Sequence, residues 1–198
     1  IPEVDEALVA RLRRAGAIIV GKTNTPEFGS GTATNNLVYG PTHNPFDLER
    51  TSGGSSGGSG AALATGMLPL CQGGDTGGSL RNPATWCGVV GFRSTPGLVP
   101  RENRTLNYTH FNVQGPMARS VADTALMMAG CVGDDNRDPL ASPCDPLSFT
   151  GLEATDLGNI RAAWTEDLGR IAPLDDGIRN CFRELITNLD GTFRSLDG

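Results

Sequence analysis

The chain has 198 residues and a formal net charge of −6, with 27 Gly, 13 Pro, 38% hydrophobic and 19% charged residues. That is too apolar and too weakly charged for a disordered tail, and long enough to bury one core. The 16 Lys and Arg are scattered among 22 Asp and Glu, which argues against a nucleic-acid surface, and no run of 18 apolar residues exists to form a spanning helix.

From the N-terminus, the opening residues lack the layout of a signal peptide, and a start at Ile rather than Met reads as a fragment. Residues 4–14 place Val4, Leu8, Leu12 and Ala15 on one face of an amphipathic helix. Gly16 ends it, and Ala17-Ile18-Ile19-Val20 predicts a short buried strand. Residues 21–52 are polar and rich in turn formers, a loop layer long enough to be a functional hint in itself. The Gly/Ser run over 51–60 enters a small-residue helix over 61–66. A buried strand over 67–71 follows, then a second Gly-rich turn over 73–79, a short helix through Trp86 and a strand over 89–92. Residues 120–130 predict a helix capped by Ser120, with Val121, Ala125 and Met128 facing inward. A strand over 160–164 and an amphipathic helix over 177–189 complete an α/β alternation.

Five widely spaced cysteines without a CxxC pair fit reduced thiols in a cytoplasmic protein better than disulfides or a zinc site. The sequons at Asn103 and Asn107 read as chance matches. Gly16 to Thr23 spells the phosphate-loop pattern, but its middle residues want to be a strand, and Thr25-Pro26 disfavours the helix that should follow. Gly54-Ser55-Ser56-Gly57-Gly58 satisfies the nucleophile-elbow pattern, yet only His43 and His110 could serve as its base, and no strand is predicted ahead of it. A serine can also be activated by a neutral lysine. Lys22 is the single lysine, and capping a strand end is its simpler role. A Gly/Ser run is the composition of a linker, but two such turns flanking one helix and one strand favour a cradle of backbone N–H groups for an oxyanion.

Taken together, Gly53-Gly54-Ser55-Ser56-Gly57-Gly58-Ser59 and Gly74-Asp75-Thr76-Gly77-Gly78-Ser79-Leu80-Arg81-Asn82-Pro83-Ala84 resemble the amidase signature family. The agreement extends to Ala15-Gly16-Ala17-Ile18-Ile19-Val20-Gly21-Lys22-Thr23-Asn24, to Cys87-Gly88-Val89-Val90-Gly91-Phe92 and to Gly115-Pro116-Met117-Ala118-Arg119-Ser120-Val121-Ala122-Asp123. It is strong over about 4–134 and looser beyond. The resemblance implies an α/β fold with a mixed, twisted sheet core flanked by helices on both faces. It implies one domain fragment over 1–198, its signature core at about 4–134 and a looser extension over 135–198.

It also implies hydrolysis of an amide C–N bond by a Ser-Ser-Lys triad. Ser79 matches the nucleophile, and Ser55 the bridging serine that the family holds in a cis peptide. The N–H groups of Thr76, Gly77, Gly78 and Ser79 match the oxyanion hole, and Gly29 a substrate contact. Asp75 and Arg81 are expected to brace the turn and Ser56 to hold its loop. The family's lysine lies upstream of the Gly-Lys-Thr-Asn segment, so Lys22 matches a non-catalytic position. No metal or organic cofactor is implied. The expected partner is a small-molecule amide, with no nucleic acid and no membrane, and a homodimer as an allowed assembly. The alternatives are the amidase component of a glutamyl-tRNA amidotransferase (its A subunit) and a silent fragment that binds without turnover.

Overall fold

The computed structural model describes residues 3–102 and 108–197, so Asn103 and Asn107 of the two sequons lie outside the described residues. The chain forms two compact units, Ile1–Leu152 and Glu153–Gly198. No described helix is long and apolar enough to cross a membrane.

The first unit is built on a three-stranded antiparallel sheet. Its strands are β3 (Leu70–Asp75), β4 (Val90–Gly91) and β5 (Val113–Ala118), in the order β3-β5-β4. Cys71 lies opposite Met117 and Gly73 opposite Gly115, so all four point to one face. On that face pack helices α2 (Gly57–Ala64) and α3 (Arg81–Trp86), which join Leu63, Leu80 and Ala84 to Cys71 and Met117 in one buried cluster. Leu70 points the other way, into a second cluster formed by α1 (Ala7–Arg14) and α4 (Val121–Cys131) through Leu8, Met127, Met128 and Cys131. Helices therefore cover both faces, and the α/β class expected from the sequence is the one observed.

The sheet explains the glycines of its strands. Gly73, Gly91 and Gly115, one from each strand, sit beneath Leu80, and a Cβ on any of them would crowd that side chain. Leu80 is fully buried there. The turn that precedes it is thus pinned to the sheet by an apolar anchor.

Several local expectations change. The strand predicted over 17–20 is coil: Ile18 is 89% and Val20 71% exposed, and no described strand pairs with them. Strand propensity is realised only where a neighbour supplies the ladder. Val4 is exposed, and α1 begins at Ala7 because the Glu102 carboxylate accepts the Ala7 N–H through both oxygens, at 3.0 and 2.9 Å. Strand β3 runs on through Gly73-Gly74-Asp75, where a turn was expected, while Met67 is exposed. Helix α2 starts at Gly57, within the Gly/Ser run. Val121 is exposed, and the buried face of α4 runs instead through Thr124, Ala125, Met127, Met128 and Cys131. Ser120 caps α4 as predicted, its hydroxyl accepting the Asp123 N–H at 3.1 Å.

Among the strands with no counterpart in the sequence reading are three of the first unit. A hairpin of β1 (His43–Asn44) and β2 (Asp47–Thr51) lies inside the long loop layer. Strand β5 contains Gly115-Pro116, an unpromising pair for a central strand. Pro116 contributes its carbonyl to the Phe92 N–H at 3.1 Å.

In the second unit, β6 (Arg161–Ala163) and β7 (Ser195–Asp197) form a parallel pair, with α5 (Asp176–Leu189) between them in sequence. Trp164 and Phe182 meet edge-on at 5.8 Å between ring centroids.

Candidate active site

The site is assembled from the two Gly-rich segments. The second one leaves β3 at Asp75, turns through residues 76–80 and enters α3. Asp75 lies on the face of β3 that also carries Cys71 and Gly73, and its side chain is wholly buried. One carboxylate oxygen accepts from the Gly78 N–H at 2.8 Å and the other from the Arg81 N–H at 3.3 Å. The Arg81 guanidinium adds bonds of 2.9 and 3.0 Å, one to each oxygen. Burial pushes the Asp75 pKa up, but hydrogen bonds from Arg81 and the N–H groups of Gly78 and Arg81 outweigh it and bring it down to about 2. Arg93 reaches in from beyond β4. Its Nη1 donates to the Asp75 backbone carbonyl at 2.6 Å, to the carboxylate at 3.1 Å and to the Phe111 carbonyl at 3.1 Å.

A fixed turn results. Asp75 ties down Gly78 from within, Leu80 anchors the far end on the sheet, and the Asn82 N–H closes onto the Gly78 carbonyl at 2.7 Å. Of the four N–H groups expected in an oxyanion hole, that of Gly78 is directed at Asp75. Those of Thr76, Gly77 and Ser79 donate to no described residue. Thr76 and Gly77 are exposed and Ser79 is half-buried.

The first Gly-rich segment follows β2 and leads into α2. The Gly54–Ser55 peptide bond is cis, and Ser55 is half-buried. Close packing dictates its glycines: a Cβ on Gly54 would meet the Gly31 carbonyl at 2.7 Å, and one on Gly57 the Ser52 hydroxyl at 2.5 Å. A free α-helix start would aim its N–H groups outward as an anion site. Here they are spent on protein acceptors. Ser56 N–H donates to the Ser79 carbonyl at 2.9 Å, Gly57 N–H to the Thr34 hydroxyl at 3.1 Å and Gly58 N–H to the Asn24 carbonyl at 3.2 Å. The cradle expected at this first turn is therefore not open, and the unused donors belong to the second segment.

The hydroxyls divide in the same way. Ser52 donates to the Thr42 carbonyl at 2.9 Å. Ser56, 5% exposed, accepts the Gly74 N–H at 3.2 Å. Ser59 donates to the Gln72 carbonyl at 2.9 Å and lies 2.8 Å from the Thr23 hydroxyl. The hydroxyls of Ser55 and Ser79 make no hydrogen bond to a described residue.

Other sequence candidates lie apart from this cluster. Lys22, His43 and His110 are exposed. A strand, β2, does precede the elbow-like Gly54–Gly58 pattern, but the central Ser56 is a buried structural serine. Gly29 ends a short 3-10 turn, Glu27–Gly29, with φ of 69° and an exposed surface. All five cysteines are free, and burial pushes the Cys131 thiol up to about 12. No group of three or more metal-ligating side chains occurs among the described residues. Arg93 and Thr34 escaped the sequence reading, because their partners lie 18 and about 20 positions away and no local pattern marks them.

The Amidase family model matches residues 1–192. An acylamidase of Rhodococcus erythropolis is 44% identical over 162 residues, covering 82% of this chain and 34% of that protein. The A subunit of the glutamyl-tRNA(Gln) amidotransferase of Thermus thermophilus is 41% identical over 189 residues, covering 93% of this chain and 40% of that protein. The crystal structure of a bacterial aryl acylamidase of the amidase signature family superposes with a TM-score of 0.88 at 31% identity, covering 98% of this chain and 40% of that one. This sequence thus spans well under half the length of the relatives it matches. The chain belongs to the amidase family.

Proposed function

We propose that this chain carries the nucleophile half of an amidase, with Ser79 attacking the amide carbonyl and Ser55 passing its proton to a base. The observation that supports this reading is the division of the hydroxyls. A hydroxyl that attacks or relays a proton cannot also be tied down as a structural donor, and within the two Gly-rich segments Ser55 and Ser79 are the serines left uncommitted to described residues. Attack by Ser79 Oγ forms a tetrahedral intermediate whose oxyanion faces the N–H groups of Thr76, Gly77 and Ser79. Removing one such donor typically costs about 10²–10³ in rate. The amine leaves with a proton returned through Ser55, and water releases the acid from the Ser79 ester. Asp75, Arg81 and Ser56 keep the two turns in place, and Gly29 is the substrate contact carried over by position.

Lys22 is exposed, which speaks against it as the base. We assign that role to a lysine in the part of the amidase fold that these 198 residues do not span. The acylamidase and aryl acylamidase relatives favour an acyl amide of an aromatic amine as substrate, and the free thiols fit a reducing cytoplasm. The test is labelling of the full-length protein with a fluorophosphonate and mapping of the adduct. The label is expected on Ser79 and is expected to vanish in Ser79→Ala; a label on Ser56 or on a cysteine overturns the assignment.

A further inference from the structure

The side chain that spans the Ser55 turn comes from neither Gly-rich segment. Thr34 lies in the loop layer ahead of β1 and is 1% exposed. Its hydroxyl donates to the Gly53 carbonyl at 2.8 Å and accepts the Gly57 N–H at 3.1 Å, while its own N–H donates to the same Gly53 carbonyl at 3.0 Å. Gly53 and Gly57 stand two residues before and two after Ser55. One hydroxyl therefore closes a five-residue arc with Ser55 at its middle.

The chemistry leaves little freedom in this bridge. The hydroxyl has one proton, used toward Gly53, and its lone pairs face Gly57. The Gly57 N–H belongs to the first turn of α2 and has no acceptor within the helix, so without Thr34 it is a buried unsatisfied donor. The bridge itself is held from outside: the Thr42 N–H donates to the Thr34 carbonyl at 2.9 Å, and Ser52 bonds to the Thr42 carbonyl through both its N–H and its hydroxyl. A Cβ on Gly57 would displace the Thr34 side chain, so glycine at that position serves this contact.

We propose that Thr34 is a positioning residue for the reaction, its hydroxyl fixing the arc that aims Ser55 at Ser79. This rests on the reading of Ser55 as the proton relay. Thr34 is remote in sequence from both serines and need not touch substrate. Its loss is expected to act on the chemical step rather than on binding. A relay misplaced by about 1 Å can cost on the order of 10²-fold in rate.

The test compares Thr34→Val, Thr34→Ser and Ser55→Ala in the full-length enzyme, with p-nitroacetanilide as the probe and thermal unfolding as the check on folding. Thr34→Val keeps the volume and deletes the hydroxyl. It is expected to lower kcat by about 10-fold or more while KM holds. Thr34→Ser restores the hydroxyl and is expected to recover most of kcat. If Thr34→Val does not fold, Thr34→Ala takes its place with the same expectation. A folded Thr34→Val or Thr34→Ala enzyme with full kcat, where Ser55→Ala is inactive, overturns the inference and leaves the role of Ser55 standing. So does a Thr34→Ser enzyme as slow as Thr34→Val, because a hydroxyl at this position would then not suffice to hold the arc. Full activity in Ser55→Ala overturns the relay itself, and the positioning role with it.

Discussion

The backbone N–H of Ser56 donates to the carbonyl of Ser79 at 2.9 Å, joining the two Gly-rich segments directly. The Ser56 hydroxyl adds a second tie, accepting the Gly74 N–H at 3.2 Å one residue before Asp75. Ser56 therefore ties both ends of the turn that carries Ser79, while its neighbour Ser55 is left uncommitted among the described residues.

This separates two adjacent serines by experiment. Ser56→Ala keeps the backbone bond and deletes the hydroxyl, leaving the part-buried Gly74 N–H without that acceptor. The expected cost is about 1–3 kcal/mol of stability, read as a lower urea midpoint, with fluorophosphonate still labelling Ser79. Ser55→Ala should leave the midpoint nearly unchanged and abolish most turnover. A reversed pattern would exchange their roles.

The Asp75 carboxylate gives the turn a dependence on pH. Its folded pKa of about 2 lies below the ordinary 3.8, so the folded state favours the ionised form. The stabilisation is present above the ordinary value and is lost as pH falls from about 4 through 2. Asp135, also brought down to about 2, chiefly by the Arg137 hydrogen bond, loses its contribution in the same window. Urea midpoints measured from pH 6 to pH 2 should decline most steeply below pH 4, and less steeply in Asp75→Asn. Because Asp75 is buried between Arg81 and Arg93, Asp75→Ala should cost on the order of 3 kcal/mol even at neutral pH. A flat profile in the wild type would contradict the ion-pair geometry.

The glycine bed under Leu80 makes a prediction about packing. Leu80→Ala empties a fully buried position on the sheet and should cost about 2–5 kcal/mol. Gly91→Ala brings a methyl to 2.6 Å from the Ala84 Cβ and 2.8 Å from Leu80. Overpacking of that kind costs about 1–3 kcal/mol. The double variant Gly91→Ala with Leu80→Ala should cost less than the sum of the two, since the smaller residue makes room. Strict additivity in thermal unfolding would show that Gly91 does not owe its identity to Leu80.

Much of this was readable from the chain. The α4 helix announced itself through its Ser120 cap, and the paired Gly-rich segments singled themselves out as the candidate site, with Ser55, Ser79 and Asp75 in them. What the residues could not disclose depends on partners distant in sequence. Val113-Gln114-Gly115-Pro116 looks like a turn until β3 and β4 flank it, because its glycine serves Leu80 and its proline offers a carbonyl. Ala17-Ile18-Ile19-Val20 has strand chemistry and no described neighbour to pair with. Gly78 looked like an oxyanion donor by position, and the Asp75 carboxylate three residues earlier claims its N–H. Thr34 works through backbone atoms, and Arg93 through two backbone carbonyls and a carboxylate 18 residues away, which no local pattern of side chains reveals.

The role of the single lysine is the sharpest remaining test of the mechanism. A lysine that accepts a serine proton must be held neutral, which requires burial away from carboxylates. Lys22 is exposed, and the residues that follow it do the structural work: the Thr23 hydroxyl meets Ser59 at 2.8 Å, and the Asn24 carbonyl accepts the Gly58 N–H at 3.2 Å. The Asn24 amide also donates to the Gly40 carbonyl at 3.1 Å and to the Thr42 hydroxyl at 3.0 Å. Asn24→Ala should therefore destabilise the full-length enzyme by about 1–3 kcal/mol. Lys22→Ala should change stability by no more than about 0.5 kcal/mol and retain most of kcat. The measurement is kcat on an aryl amide beside the urea midpoint for each variant. If folded Lys22→Ala lost as much activity as Ser79→Ala, Lys22 would be the base, and the site would have to close by moving that segment toward Ser55.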